Sequence, residues 1–286
     1  MSLTPKTPIP EGAIRYNTDS NKMEVWIGDK WMQVAVSSPN LDGGVRGVFG
    51  GGYQPSAKDV IDFVTISTAG NATDFGNLSL ARYYVRGTAS STRGVFAGGT
   101  SPGPAVTNVI DFVTISSGGG ANDFGDLTLA RMYPAGVSDS TRAIANGGST
   151  PVANDIIDYI TMASTGGASD FGDLIEPTTY LTGAGCQSPT RGFVWGGHPQ
   201  NSPMIQFYEI QSKGNAVEFG EQTVGKDGVS CGSNTTRGVS YGGSVQPANT
   251  GTDTIDYITM SSGGNAFDFG DFSDDWFTLL FDMPIS

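Results

Sequence analysis

Positive charge is scarce in this chain of 286 residues: 15 lysines and arginines stand against 28 aspartates and glutamates, a net charge of -13. So acidic a surface repels phosphate backbones and anionic lipid, and neither nucleic acid nor a membrane is expected as a partner. No apolar run approaches the roughly 18 residues of a membrane helix. No basic-then-apolar leader opens the chain, so synthesis in a cytoplasm is expected. Histidine is reduced to His198 and cysteine to Cys186 and Cys231. Without a Cys or His cluster around His198 a zinc-type metal site has no support, and no cofactor is expected. The two cysteines fall in corresponding stretches of successive repeats and read as buried free thiols, with adjacency in space left open. No Ser, His and Asp spacing, no GxxxxGK phosphate loop and no convergent carboxylate pair stands outside the repeats, so no enzyme is expected.

Glycine, by contrast, is abundant at 42 residues, and it is periodic. A segment that opens on arginine and ends in a glycine pair occurs five times: Arg46 to Gly51-Gly52, Arg93 to Gly98-Gly99, Arg142 to Gly147-Gly148, Arg191 to Gly196-Gly197 and Arg237 to Gly242-Gly243. The second glycine recurs after 47, 49, 49 and 46 residues, so one unit of under fifty residues is used five times. With 37% hydrophobic and 15% charged residues, this is a turn-rich β composition rather than a disordered one.

Strands in the second unit are expected at Tyr83 to Ala89, Arg93 to Ala97, Val109 to Ser116 and Asp123 to Leu129, separated by Gly, Pro, Ser and Asn. Four antiparallel strands per unit predict one propeller blade each. The third strand is best kept, as Ile61 to Ile66, Ile110 to Ile115, Ile157 to Met162 and Ile255 to Met260, and is degraded at Ile205 to Ile210. Its β-branched and aromatic residues suit a strand covered on both faces. The fourth strand opens on Asp74-Phe75-Gly76, Asp123-Phe124-Gly125, Asp170-Phe171-Gly172, Glu218-Phe219-Gly220 and Asp268-Phe269-Gly270. Five copies without a partner catalytic loop are structural: the phenylalanine packs between blades and the glycine permits a bulge.

The first unit lacks a first strand, while Trp276 to Phe281 follows the last unit where the next first strand would stand. Pairing of that segment with Arg46 to Gly50 would close a ring without free edges. The expected fold is therefore all-β, a five-bladed propeller over 45–286 closed by the C-terminal strand. Residues 1–44 form a separate attachment region: an extended arm with Pro5, Pro8 and Pro10, a small β meander from Ala13 to Val36, and a linker from Ser37 to Gly44.

The double glycines, the third-strand aromatics Phe63, Phe112, Tyr159, Phe207 and Tyr257, and the trailing Arg82 and Arg131 resemble the kelch repeat. The trailing position is Thr178 in the third unit and Lys226 in the fourth, and Phe replaces the usual fourth-strand Trp, so the array is kelch-like. The stretch from Gly12-Ala13-Ile14-Arg15-Tyr16-Asn17 through Trp26 to Trp31 resembles a hairpin of tail-fibre and other virion proteins of tailed bacteriophages. The Ile-Asp-Tyr-Ile-Thr and Asp-Phe-Gly-Asp repeat is similar to one in structural proteins of marine phages. This resemblance implies a non-enzymatic virion protein, a tail fibre or similar appendage whose propeller displays a face for host-surface glycan. It implies attachment to other virion proteins through Ile14, Tyr16, Trp26 and Trp31. The alternative is a purely structural decoration of head, neck or baseplate. Fibre likeness implies a homo-oligomer through the N-terminal region, whereas a self-sufficient propeller suits a single copy.

Two sets of candidate residues follow. Arg46, Arg93, Arg142, Arg191 and Arg237 open second strands, and Asp74, Asp123, Asp170 and Asp268 open fourth strands, at turns that share one face of an up-and-down blade. Arg and Asp pairs stitching that face are expected rather than an anion site. The opposite face collects loops 53–58, 100–108, 149–154, 198–203 and 244–253, which differ in length and sequence. Candidate ligand contacts there are Tyr53, Gln54, Asn108, Asn154, His198, Gln200, Asn201, Gln246 and Asn249, types that serve sugar recognition; solvated turns are the plain alternative.

Overall fold

The computed structural model describes residues 9–17, 22–33, 45–103, 105–179, 185–198, 202–245 and 250–276. The chain divides into two compact units, residues 1–40 and 41–286. The described residues are all-β, with no helix among them.

In the first unit β1 (Ile14–Asn17), β2 (Lys22–Ile27) and β3 (Lys30–Gln33) form an antiparallel meander. In the second, β4 (Arg46–Gly50), β5 (Val60–Thr65) and β6 (Thr73–Asn77) make a three-stranded sheet without a first strand of its own. Three four-stranded antiparallel sheets follow. They are β7 (Arg86–Ala89), β8 (Arg93–Ala97), β9 (Val109–Thr114) and β10 (Asn122–Asp126); β11 (Ala135–Ser138), β12 (Arg142–Asn146), β13 (Asn154–Thr161) and β14 (Ser169–Thr178); and β15 (Gly185–Gln187), β16 (Arg191–Trp195), β17 (Met204–Glu209) and β18 (Val217–Glu221). The last sheet holds β19 (Ser230–Ser233), β20 (Arg237–Tyr241), a short β21 (Ser244–Val245), β22 (Thr250–Thr259) and β23 (Phe267–Trp276).

Strand order matches the expected meander, while several strands are shorter than expected. Tyr83 makes only an isolated bridge to Thr100 before β7 begins. Strand β10 stops at Asp126 rather than Leu129 because Thr128 leaves it to bond the next sheet, its N–H and Oγ1 donating to Asp158 at 3.1 and 2.6 Å. No sheet closes on itself among the described residues. Trp276, expected to start a closing strand, instead ends β23 opposite Thr252, because β23 continues past its bulge; residues 277–281 lie outside the described residues.

The core lies between sheets. Phe75, Phe124, Phe171 and Phe219 are buried, each in edge-on contact with its own third-strand aromatic at 5.6 to 5.9 Å between centroids. The glycine after each phenylalanine sits at a register shift. At Gly125 φ is +139°, and a Cβ would lie 2.5 Å from the backbone of Gly166 in the next sheet, so only glycine fits. The first strands β7, β11, β15 and β19 run side by side, with Ser138 Oγ donating to Ala89 O at 2.9 Å and Gln187 N to Ser233 Oγ at 3.2 Å. The outermost sheets lack this cover on one side: Ile66 is 60% and Phe269 55% exposed, while their counterparts Ile115 and Phe124 are buried.

Three of the four junctions between successive sheets are fixed by the side chain eight residues after the first residue of the Asp-Phe-Gly or Glu-Phe-Gly motif. The Arg82 carbonyl accepts from Gly52 N of its own unit at 2.9 Å, and its guanidinium crosses to Asp111 of the next sheet at 2.9 Å. Arg131 repeats this with Asp158 at 2.8 Å and Lys226 with Asp256 at 3.4 Å, all six side chains being fully buried. Burial pulls the pKa of each of these cations down, and the facing aspartate works against that shift. At the remaining junction both partners change: Thr178 stands for the cation and Gln206 for the aspartate, and Gln206 Oε1 accepts from Ile175 N at 2.6 Å. Losing one partner alone would strand a buried charge, whereas losing both removes the need for the other. Arg131→Thr is therefore expected to cost ~3–5 kcal/mol in denaturant unfolding, and Arg131→Thr with Asp158→Gln to recover most of that loss.

Candidate functional site

The end of the array that carries the repeated arginines is consumed by its own structure. Arg46, Arg93, Arg142 and Arg191 each reach the next sheet, Nη1 donating to the carbonyls of Ile115, Met162, Ile210 and Met260 at 2.6 to 3.0 Å. All five arginines, Arg237 included, lie over their own third-strand aromatic ring at 4.6 to 5.1 Å. The expected Arg and Asp pairs are thus corrected. Asp74, Asp123 and Asp268 turn back to accept from Gly76, Gly125 and Gly270 N at 2.9 to 3.1 Å, which closes the bulge. Arg191 has an acidic partner, but it is Glu209 at 2.7 Å, on the neighbouring strand. The guanidiniums of Arg46, Arg93, Arg142 and Arg191 are thus each held in place between a ring of their own sheet and a carbonyl of the next.

At the opposite end the loops after the double glycines meet the starts of the first strands. Isolated bridges join Tyr83 to Thr100, Met132 to Ser149, Thr179 to His198 and Asp227 to Ser244. The expected contact residues divide here. Asn154 is used internally, its Nδ2 donating to Gly148 O at 3.0 Å, whereas Asn108 is held through its main chain, its backbone carbonyl accepting from Leu127 N at 2.7 Å. Gln54 and Tyr53 stay exposed, Tyr53 at 63%. His198 lies 3.4 Å from Asp227 of the following unit; burial raises the Asp227 pKa and His198 opposes the rise. Gln200, Asn201, Gln246 and Asn249 lie outside the described residues.

The structure adds a group that the repeat concealed. Tyr53 meets Tyr83 edge-on at 5.0 Å, Tyr83 meets Tyr84 at 4.5 Å, and Tyr84 stacks on Tyr133 at 4.0 Å and 29°. Tyr84 and Tyr133 occupy the same place in successive units, two residues after the trailing arginine, and both have φ of +57°. The left-handed conformation costs a residue with a Cβ ~1–2 kcal/mol, and one aromatic stack contributes only ~0.5–1.5 kcal/mol. In the fourth unit the same place is Gly228, at φ +61°. The backbone geometry is met there without a side chain. The legible signal was a tyrosine at a fixed offset, replaced once by glycine.

Beneath this end lie the two cysteines, both free and buried. Trp195 Nε1 donates to Cys186 Sγ at 3.3 Å, and burial pushes the Cys186 thiol up to about 12, against that hydrogen bond. Burial also raises the Cys231 pKa, and Lys226 and Arg86 oppose it. Arg86 itself is brought down to about 10 by burial. No group of three potential metal ligands occurs among the described residues.

In the N-terminal unit the expected attachment residues separate by strand parity. Ile14 and Tyr16 share a sheet face with Met23, Ile27 and Met32, and all five are exposed. Trp26 and Trp31 stand opposite each other on the other face, edge-on at 5.3 Å, with the Arg15 guanidinium 4.2 Å over Trp31 and paired to Glu24 at 2.8 Å.

Compared with known proteins, the chain matches no family model and no curated protein sequence. The buried, protonated thiols carry their own test: a thiol reagent at pH 8 is expected to label neither Cys186 nor Cys231 in the native protein and both in denaturant, as counted by mass spectrometry.

Proposed function

We propose that the protein is a non-enzymatic virion component of a tailed bacteriophage, a tail fibre or similar appendage. In this reading the sheets of residues 45–286 are the blades of a five-bladed kelch-like propeller whose loop end displays a host-surface glycan site. The N-terminal sheet joins the particle through other virion proteins. The observation that carries the reading is the contrast between the two ends of the array. At one end the same arginines recur and are spent on neighbouring carbonyls and rings. At the other the loops differ, and aromatic and amide side chains stay accessible. A scaffold held constant under a surface left free to vary is the arrangement of a binding module.

Two further observations support the parts of this reading. The first strands β7, β11, β15 and β19 pack side by side in chain order and give four successive sheets a common edge. The exposed Ile14, Tyr16, Met23, Ile27 and Met32 form an apolar sheet face suited to burial against another protein.

Closure and function are tested separately. In a closed ring Phe269 is covered by the first sheet, and Phe269→Ala is expected to cost ~3–5 kcal/mol in denaturant unfolding, as at Phe124. A loss near zero would show an open array. The full chain is expected to bind on an array of bacterial surface oligosaccharides, and a particle reconstruction is expected to place residues 14–33 against another virion protein. Silence across the array would favour the decoration role, while an N-terminal sheet free in the particle and a buried propeller would end the adhesin reading.

A further inference from the structure

We infer that Tyr53, Tyr83, Tyr84 and Tyr133 form a stacking platform for pyranose rings of a surface polysaccharide. The inference rests on the glycan-binding reading and gives it specific residues. The four rings are in unbroken contact, at 5.0, 4.5 and 4.0 Å between successive centroids, and span three successive units of the array. Tyr53 is exposed and the other three are half-buried, so the row belongs to the surface rather than the core.

The backbone argues that these side chains are present for something other than folding. Tyr84 and Tyr133 hold a left-handed conformation, and Gly228 holds it at the corresponding place. Glycine is the least strained solution, and the chain uses it once. The sequence has tyrosine at this place three times, Tyr84, Tyr133 and Tyr180, the last outside the described residues. At Tyr84 and Tyr133 strain is kept at a surface where two rings stack, the pattern expected of a ligand-holding position. Their neighbours suit a sugar. Gln54, next to Tyr53 in the chain, and Ser56 in the same loop are exposed, so an amide and a hydroxyl stand in the loop that carries the first ring. Sugars present an apolar C–H face to an aromatic ring and a rim of hydroxyls to such groups. A nucleobase would also stack, but its phosphates would meet a chain of net charge -13.

The test uses the full chain with Tyr84→Gly, Tyr133→Gly, the double variant and Tyr84→Phe on the same array of bacterial surface oligosaccharides, with thermal unfolding of each. The glycine variants relieve strain, so their midpoints are expected to stay level or rise. Affinity for a sugar that the native chain binds is expected to fall about tenfold in each single variant and about a hundredfold in the double, at about 1.4 kcal/mol per factor of ten. Tyr84→Phe keeps the ring and is expected to retain most of the binding. Native affinity in the double variant would overturn the platform and leave the adhesin reading standing. A large fall in midpoint for both glycine variants would make the rings structural and overturn it as well. A native chain that binds no sugar would overturn the adhesin reading and, with it, the ligand class assigned to the rings.

Discussion

Three of the four junctions between successive sheets depend on a buried cation facing a buried aspartate. The side chains of Arg82, Arg131 and Lys226 leave their own sheets, where their carbonyls are already held by the second glycine of the pair, and end on the third strand of the next. Each of these residues therefore sets both where its unit turns and how the next unit stacks. A charge so placed has no water to fall back on, so the two ends of the bond are required together. The pair Thr178 and Gln206 states the same rule by omission: the cation and the acid disappear at the same junction, and an amide oxygen inherits the backbone contact.

This division of labour explains why the two ends of the array differ. Ion pairs, bulge glycines and interleaved phenylalanines occupy the interior, and the arginines at one end add ring and carbonyl contacts between neighbours. Changes at that end would disturb two sheets at once. The loops beyond the double glycines carry no such shared duty beyond their first residue, which bridges to the next strand start. Variation is tolerated there, and strain held by Tyr84 and Tyr133 can be afforded because the rest of each unit is over-determined.

Much of the fold was legible because it was written five times. Strand order, the missing first strand, the buried Asp-Phe-Gly phenylalanines and the glycine bulges all follow from residues that every unit repeats. Periodicity failed where partners had to be chosen. The second-strand arginines and the fourth-strand aspartates recur with the same period as the third-strand aspartates, and a common period cannot say which recurring groups face each other. The true acids, Asp111, Asp158 and Asp256, sat inside the Ile-Asp-aromatic motif and read as strand filler. Only the joint departure at Thr178 and Gln206 marked them in the sequence. The tyrosine row was hidden for another reason: its members come from loops and strand starts of three units, and only alignment on the trailing residue brings Tyr84, Tyr133, Tyr180 and Gly228 into one column.

The same alignment bears on how the array ends. Eight residues after Asp268, where the earlier units place Arg82, Arg131, Thr178 and Lys226, stands Trp276. In the first sheet the matching acid is Asp62, which keeps partial solvent exposure where Asp111, Asp158 and Asp256 have none. A junction between the last and first sheets would thus be built without a buried cation, and it would not strand a charge, because Asp62 retains water. Its remaining parts are present. Gly70-Asn71-Ala72 of the first sheet repeats Gly214-Asn215-Ala216 and Gly264-Asn265-Ala266, whose asparagines accept from Asp173 N and Glu221 N of the preceding sheet at 3.1 and 3.2 Å. Asp271 stands at the position of those donors. The exposed Phe269 supplies the apolar side chain that Phe124 and Phe171 bury at the internal junctions. If the array closes as proposed, these residues would form one more junction, with apolar contact and backbone hydrogen bonds in place of the ion pair found at three of the four internal junctions.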